Sequence, residues 1–229
     1  MFRQEQIIPD HYIMKTKLTI IATFMSLSLS AQTLSQTGTS VKELVPEGWT
    51  VQEAWGDLYQ NGRDDLVLIA TPNDSTKMKA RDDGYVYDFN QPILAVYYMS
   101  EEGDLILHEQ HDDIIPVRDE YVSYDVSAEV KRGNLVITVI PFASAGSYYS
   151  SVYEYVFRHQ NDAFYLIGLD IESFARNTGD GERISINYLT HKQWTLPINA
   201  FDNSKDNEKP KWSSVPKEPL KRLGTFMLE

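Results

Sequence analysis

Apolar and polar residues alternate along this chain in short runs, and turn residues separate the runs at intervals of about ten positions. Between Val152 and Glu172, for example, three aromatic residues at 153, 155 and 157 alternate with valine, glutamate and arginine before the chain turns at Asn161. A period of two places successive side chains on opposite faces of an extended strand, so this segment predicts a β-hairpin. No run of comparable length after the first thirty or so residues has the 3.6-residue period of an amphipathic helix.

Segments rich in β-branched and aromatic residues are predicted strands. They are Thr50–Trp55, Asp65–Ala70, Ile93–Met99, Leu105–His108, Val122–Val130, Leu135–Phe142, Val152–His159, Phe164–Glu172, Arg183–Leu189 and Gln193–Leu196. The pattern predicts an all-β domain. Two architectures remain open: a small, irregular β-propeller-like domain of roughly four or five blades, and an antiparallel β-sandwich.

A short apolar run near the start has the features of an export signal. From Met14 the chain reads MKTKLTIIATFMSLSLSAQ, in which two lysines precede the apolar run Leu18–Leu29 and small residues end at Ala31. This order is typical of a secretory signal peptide. The run is too short for a permanent helical membrane anchor. We predict a signal peptide at residues 1–31, with residues 1–13 either a long n-region or upstream of a true start at Met14.

The rest of the chain is predicted to divide into an all-β domain at 32–200 and a polar linker with a C-terminal segment at 201–229. Phe201–Pro219 is rich in Lys, Asp, Asn, Ser and Pro, whereas Leu220–Leu228 regains apolar residues. That last segment either docks as an edge strand or frays.

The composition limits the partners and the anchors of the mature protein. The formal net charge is −12, which argues against nucleic acid and anionic membrane surfaces, because both need clustered Lys and Arg. The chain has no cysteine, so it has neither disulfides nor a lipidated cysteine. We therefore predict a periplasmic or extracellular protein without a stable membrane anchor.

One loop carries a spacing that is typical of metal ligands. In WGDLYQNGRDDLVL, Asp57, Asn61 and Asp65 occupy positions one, five and nine, and Gly62 at position six permits a turn that brings the Arg63 carbonyl inward. Oxygen ligands in this order converge on a hard cation, and calcium fits best. An EF-hand is excluded, because position twelve is a leucine and both flanks are predicted strands.

The loop resembles the calcium loop of FG-GAP and VCBS repeats, the blades of integrin-type propellers. Trp55-Gly56 matches the aromatic-glycine pair of those repeats, but Tyr59 departs from their pattern at position three. The resemblance implies calcium at Asp57, Asn61, Arg63 and Asp65, with water in place of the missing ligand. The alternative is a metal-free loop held by Asp and Asn hydrogen bonds.

Longer stretches of the chain also resemble an uncharacterised family of exported Bacteroidetes proteins. The resemblance rests on WGDLYQNGRDDLVLI, FRHQNDAFYLIG and RISINYLTHKQW, and it implies no activity. By analogy of fold, this resemblance suggests a relation to small periplasmic propellers of known role. Those propellers bind calcium and inhibit cell-wall hydrolases.

Other residues of chemical interest have simpler interpretations. His108–Asp113 concentrates metal-ligand types, but it follows a predicted strand and is interpreted as a solvated polar loop. His159 and His191 each lie near a turn and are interpreted as surface residues. Ser144–Ser151 joins small residues to tyrosines, which either stack on a sugar or peptide or enter the next strand. The adjacent acid pairs are interpreted as solvated turns: Asp64-Asp65, Asp82-Asp83, Glu101-Glu102 and Asp112-Asp113.

These observations together favour an exported, non-enzymatic binding module, stabilised by calcium, that binds a protein or a glycan of the cell envelope. A periplasmic inhibitor or immunity protein against a cell-wall hydrolase is one alternative. A glycan-active hydrolase is the alternative from another class, because the acid pairs could include two carboxylates that face each other. The sequence has no nucleophile elbow, phosphate-binding loop or zinc-protease helix motif.

Overall fold

The structure is a computed structural model, and it describes residues 33–143, 147–205 and 207–228. Strands make up 53% of the described residues and helix about 4%, which confirms the all-β class. The signal peptide predicted for residues 1–31 lies outside the described residues. In the part of the chain that the structure describes, no helix is long and apolar enough to cross a membrane.

The strands form two antiparallel sheets and one separate hairpin. In chain order they are β1 (Thr37–Gly38), β2 (Thr50–Gly56), β3 (Asp65–Thr71), β4 (Met78–Ala80), β5 (Val86–Asp88), β6 (Ile93–Met99), β7 (Leu105–His111), β8 (Val122–Lys131), β9 (Asn134–Ala143), β10 (Tyr149–Gln160), β11 (Ala163–Ala175), β12 (Asp180–Asn187), β13 (Lys192–Asn199) and β14 (Lys211–Ser214). The first sheet has the order β1-β7-β6-β3-β2, and the second is a meander that runs from β14 to β8. Strands β4 and β5 pair only with each other within the described residues. The one α-helix of these residues is α1 (Val41–Leu44), and Ser75–Lys77 forms a 3-10 turn.

The central strands of the five-stranded sheet are buried on both faces. Leu66 of β3 packs with Leu34 and Leu44 of the N-terminal segment, which covers one face. The next residue, Val67, belongs to the core that this sheet shares with the seven-stranded sheet. Burial on both faces explains why β3 and β6 are continuous apolar runs instead of alternating ones.

The hairpin predicted around Asn161 is confirmed as β10 and β11. Their pairing brackets a two-residue turn, Asn161-Asp162, because Gln160 pairs with Ala163. Both turn residues have positive φ, 50° and 61°, as a two-residue turn between twisted strands requires. Tyr155 and Phe157 alternate into the shared core, as the period of two predicts.

The seven-stranded sheet extends beyond this core. No residue of β12, β13 or β14 is buried, although these strands carry several large apolar side chains. Strand β14 lies inside the segment predicted to be a polar linker, and its Trp212 pairs with Trp194 of β13.

The C-terminal segment returns to the core after β14. Leu223 and Leu228 are both buried. The backbone N–H of Leu223 donates to the carbonyl of Phe164, and that of Leu228 donates to the carbonyl of Ile114, each over 2.8 Å. The segment therefore docks against the core instead of fraying. Its β-pairing with the seven-stranded sheet consists of a single antiparallel bridge between Tyr165 and Arg222.

Candidate functional site

The loop between β2 and β3 contains the four residues predicted to bind calcium. The Asp57 carboxylate accepts the backbone N–H of Asn61 (2.9 Å) and that of Gly62 (2.8 Å). The Asn61 side-chain oxygen accepts the backbone N–H of Arg63 (3.0 Å), whose Nε in turn donates to the Met99 carbonyl (3.0 Å). Such local bonds from Asp and Asn close turns without a metal.

Asp65, the fourth predicted ligand, is fully buried. Its Oδ2 accepts the backbone N–H groups of Leu58 (2.8 Å) and Tyr59 (3.2 Å), and its Oδ1 accepts that of Met99 (3.0 Å). Burial raises the pKa of the Asp65 carboxyl, against the lowering effect of these donors. Because both oxygens already accept backbone hydrogens, these residues fit a hydrogen-bonded turn better than an open cation cage. Calcium binding at this loop stays a prediction.

Tyr59 departs from the calcium-loop pattern because its side chain belongs to the core. Its ring packs against His159, His108 and Phe164, with ring centroids 4.3, 5.5 and 6.1 Å away. Burial raises the pKa of its hydroxyl. Within the described residues this buried hydroxyl has no hydrogen-bond partner. Tyr59 therefore anchors the loop to the protein instead of supplying a ligand oxygen.

A second cluster of metal-ligand types lies beside Tyr59. His108 of β7, His159 of β10 and Asp162 of the following turn each place one ligand atom within 4.8 Å of the others. The Nε2 atom of His159 is buried without a hydrogen-bond partner in the described part of the chain. Burial, and secondarily the neighbouring His108, lowers the pKa of His159.

This cluster corrects two interpretations made from the sequence. Strand β7 continues to His111, so the first residues of His108–Asp113 belong to a strand and not to a solvated loop. His159 is half-buried and not a surface residue. The feature that could not be predicted is a β-bulge: Leu107 pairs with Tyr97 and Glu109 with Val96, which leaves His108 as the extra residue. Such bulges re-aim side chains.

The largest group of exposed aromatic side chains lies near the short β4–β5 hairpin and the adjoining ends of β8, β9 and β10. We call this surface the aromatic end, and its residues are Tyr85, Tyr87, Tyr121, Phe142, Tyr148 and Tyr149 with Arg81, Arg118 and Arg176. Tyr121 is 69% exposed and Phe142 is 56% exposed. Several of these residues line a groove of about 290 Å³.

Arginines and turn hydrogen bonds order the aromatic end. The Arg118 guanidinium lies over the Tyr87 ring, 4.1 Å from its centroid, and Arg81 donates to the Tyr87 hydroxyl (2.8 Å). The Asp119 carboxylate accepts the backbone N–H groups of Tyr121 (2.7 Å) and Val122 (2.6 Å), which lower its pKa. The exposed Tyr121 side chain therefore projects from a turn that the Asp119 hydrogen bonds hold in place.

Two of the arginines are available to a partner. Arg176 lies over the Phe142 ring, 5.3 Å from its centroid, and donates to the Ala143 carbonyl (3.1 Å). Within the described ranges, neither Arg118 nor Arg176 lies within 4.0 Å of a carboxylate oxygen, whereas Arg81 pairs with Asp83. The Tyr148–Tyr149 pair adjoins Arg176, whose backbone N–H donates to the Tyr148 carbonyl (3.0 Å). Residues 144–146 of the predicted Ser144–Ser151 loop lie outside the described residues.

A second groove, of about 360 Å³, crosses the seven-stranded sheet on the face opposite the core. Glu154, Asp170, Ser185 and Trp194 are successive cross-strand neighbours in this groove. It places two carboxylates side by side next to an indole ring.

The adjacent acid pairs all lie at turns or strand ends. Asp82-Asp83 and Glu101-Glu102 lie in turns, Asp112-Asp113 follows β7, and Asp64-Asp65 precedes and begins β3. Asp65 is fully buried, so the interpretation of Asp64-Asp65 as a solvated turn is wrong for that residue.

No known protein family matches the chain, and no match is found among curated proteins or among solved structures. Its function has to be inferred from its own residues and their geometry.

Proposed function

We propose that the chain is an exported, non-enzymatic binding module that contacts a protein partner through the aromatic end. The supporting observation is the concentration of exposed tyrosine, phenylalanine and arginine side chains on one surface. Tyrosine and arginine are the residue types that carry most of the binding energy at protein interfaces. Contiguous exposed apolar surface is rare on monomeric proteins unless it binds something.

The charge of the aromatic end indicates the chemistry of the partner. The whole chain carries a net charge of −12, yet this surface offers the guanidinium groups of Arg118 and Arg176 with no carboxylate oxygen within 4.0 Å in the described ranges. The carboxylates that line the groove at this surface are Asp83 and Glu120, which pair with Arg81 and Lys79. A partner with carboxylates among apolar groups complements this surface. Inhibition of a cell-wall hydrolase is one form of this proposal, in which the partner is that enzyme.

We infer a sandwich-like arrangement for the domain in preference to a propeller-like one. The two large sheets contribute to one shared core. Within the described residues the sheets have five, seven and two strands, whereas a propeller blade has about four.

A binding comparison with matched variants tests the proposal. Tyr121→Ser with Phe142→Ser removes two exposed rings from the aromatic end, and Leu189→Ser with Trp212→Ser removes two exposed apolar side chains elsewhere. We expect wild type and the second pair to retain the same protein from an envelope extract, and the first pair to retain at least about tenfold less. Equal retention by both pairs would rule out the aromatic end as the binding surface.

The glycan-active alternative would use the two neighbouring carboxylates of Glu154 and Asp170. Cross-strand neighbours have Cβ atoms about 4.5–5.5 Å apart, which is compatible with the roughly 5–5.5 Å between the carboxyl groups of a retaining glycosidase. The binding-module proposal predicts no release of sugars from cell-wall glycans by the purified protein. Release that is lost in Glu154→Gln and Asp170→Asn would establish the enzyme instead.

A further inference from the structure

We propose that His108, His159 and Asp162 form a transition-metal site between the two sheets, and that the ion bound there is zinc(II). His108 lies on the five-stranded sheet, and His159 and Asp162 lie on the hairpin of the seven-stranded sheet. The site shares no ligand residue with the predicted calcium loop, although Tyr59 of that loop packs against it, and it does not depend on the proposed function.

The distances between the three side chains are within reach of a metal-bound arrangement. Their ligand atoms lie within 4.8 Å of one another. Zinc binds imidazole nitrogen and carboxylate oxygen at about 2.0–2.2 Å, so neighbouring ligand atoms of a tetrahedral site are about 3.3 Å apart. The difference requires a modest rotation of side chains. Asp162 is exposed in a turn, where its carboxylate is free to make that movement.

The surroundings of the histidines support a bound ion. The Nε2 atom of His159 is buried and has no hydrogen-bond partner among the described residues. Buried polar atoms without a partner are uncommon, and a metal ion would satisfy this one. The rings of Tyr59 and Phe164 pack against His159 at 4.3 and 5.2 Å between centroids, and they hold its imidazole in place.

The donor set determines which ion fits. Two imidazole nitrogens with one carboxylate suit zinc and its first-row neighbours, whereas calcium and magnesium prefer sites made of oxygen. Three protein ligands leave a coordination position for water or another molecule, as in zinc sites with an open position.

Metal titration of the purified full chain tests this site. After removal of metals with EDTA, zinc chloride is titrated by calorimetry, and cobalt(II) is added in parallel because its visible absorption reports a tetrahedral site with nitrogen ligands. The variants are His108→Gln, His159→Gln and Asp162→Asn. Asparagine suits the positive φ of Asp162, so that variant keeps the turn. The control is His191→Asn, a histidine with positive φ in a different hairpin turn.

We expect wild type and His191→Asn to bind one equivalent of zinc and to give the cobalt absorption. Each of the three ligand variants should bind zinc at least about tenfold more weakly. Asp162→Asn keeps the test informative if a buried histidine variant fails to fold. Absence of zinc binding by wild type, or equal binding by wild type and Asp162→Asn with an unchanged cobalt spectrum, would overturn the proposal.

Discussion

Tyr59 and Asp65 hold the β2–β3 loop in place by two different interactions. The Asp65 carboxylate accepts the backbone N–H of Tyr59, while the Tyr59 ring packs among His108, His159 and Phe164. The loop is therefore attached to the core through the buried carboxylate of Asp65 and the half-buried ring of Tyr59. This attachment orders the loop in the described residues, and calcium binding there stays a prediction.

Tyr59→Asp tests the role of this ring. The substitution supplies the oxygen that the calcium-loop pattern lacks, but it also removes a core aromatic and places a carboxylate near Asp65 and Glu109. We expect the free energy of unfolding to fall by about 3–5 kcal/mol in urea denaturation, with calcium or with chelator.

Asn61→Asp is the matched control, because it adds the same charge at an exposed position of the same loop. It should change the free energy of unfolding by no more than about 0.5 kcal/mol. If Tyr59→Asp is as stable as Asn61→Asp, or gains stability only with calcium, the ring is not the anchor and the calcium-loop interpretation is favoured.

The sequence could predict the turn at Asp57 but not the histidine cluster. Asp57, Asn61 and Gly62 form the turn through hydrogen bonds within a few residues of one another. Because these contacts are local, the spacing of the residues in the sequence is enough to predict the turn. His108 and His159 meet through the packing of two sheets, and His108 faces the cluster only because a bulge interrupts the period of two. The turn residues Asn161-Asp162 were predicted, yet nothing near His159 in the sequence indicated its partner.

At the scale of elements, the long strands could be predicted and the short ones could not. The predicted strand Ile93–Met99 coincides with β6, and the β8–β9 and β10–β11 hairpins lie where alternation and turn residues place them. Strands β1, β4, β5 and β14 have two to four residues, too few for a period of two to be recognised. They form because tertiary pairing stabilises segments whose own preference is weak.

The C-terminal segment offers a test at this scale with neighbouring residues. Leu228 is 1% exposed, whereas Met227 is 60% exposed. Leu228→Ala should lower the free energy of unfolding by about 2–4 kcal/mol, because it leaves a cavity in the shared core. Met227→Ala should leave it within about 0.5 kcal/mol, as measured by the same urea denaturation. Equal effects of the two substitutions would mean that the segment is frayed in solution.

At the scale of the whole molecule, the two sheets have different roles. The central strands of the five-stranded sheet are covered on both faces and form the buried centre of the domain. The seven-stranded sheet extends past that centre with strands that contain no fully buried residue, and the aromatic end lies where its first strands begin and end. Rigid strands that carry exposed loops and rings suit surface recognition.

The signal peptide predicted at residues 1–31 implies that the whole molecule is exported. We expect protein recovered from the producing cells to begin at Gln32 or within a few residues of it, because a signal peptidase cleaves after small residues such as Ala31. Mass spectrometry of the N-terminal peptide measures this directly. If protein purified from the cell envelope still contains residues 14–31, the signal-peptide prediction is wrong.

Photo-crosslinking in the producing cells tests the central proposal, recognition of a protein through the aromatic end, most directly. A benzophenone amino acid replaces Tyr121 or Phe142 in one set of cells, and Leu189 or Trp212 in the control set, all four positions being exposed. After irradiation, we predict that both aromatic-end positions give a crosslinked product containing the same partner protein, and that neither control position does. No product at Tyr121 and Phe142, or the same product from all four positions, would contradict the proposal.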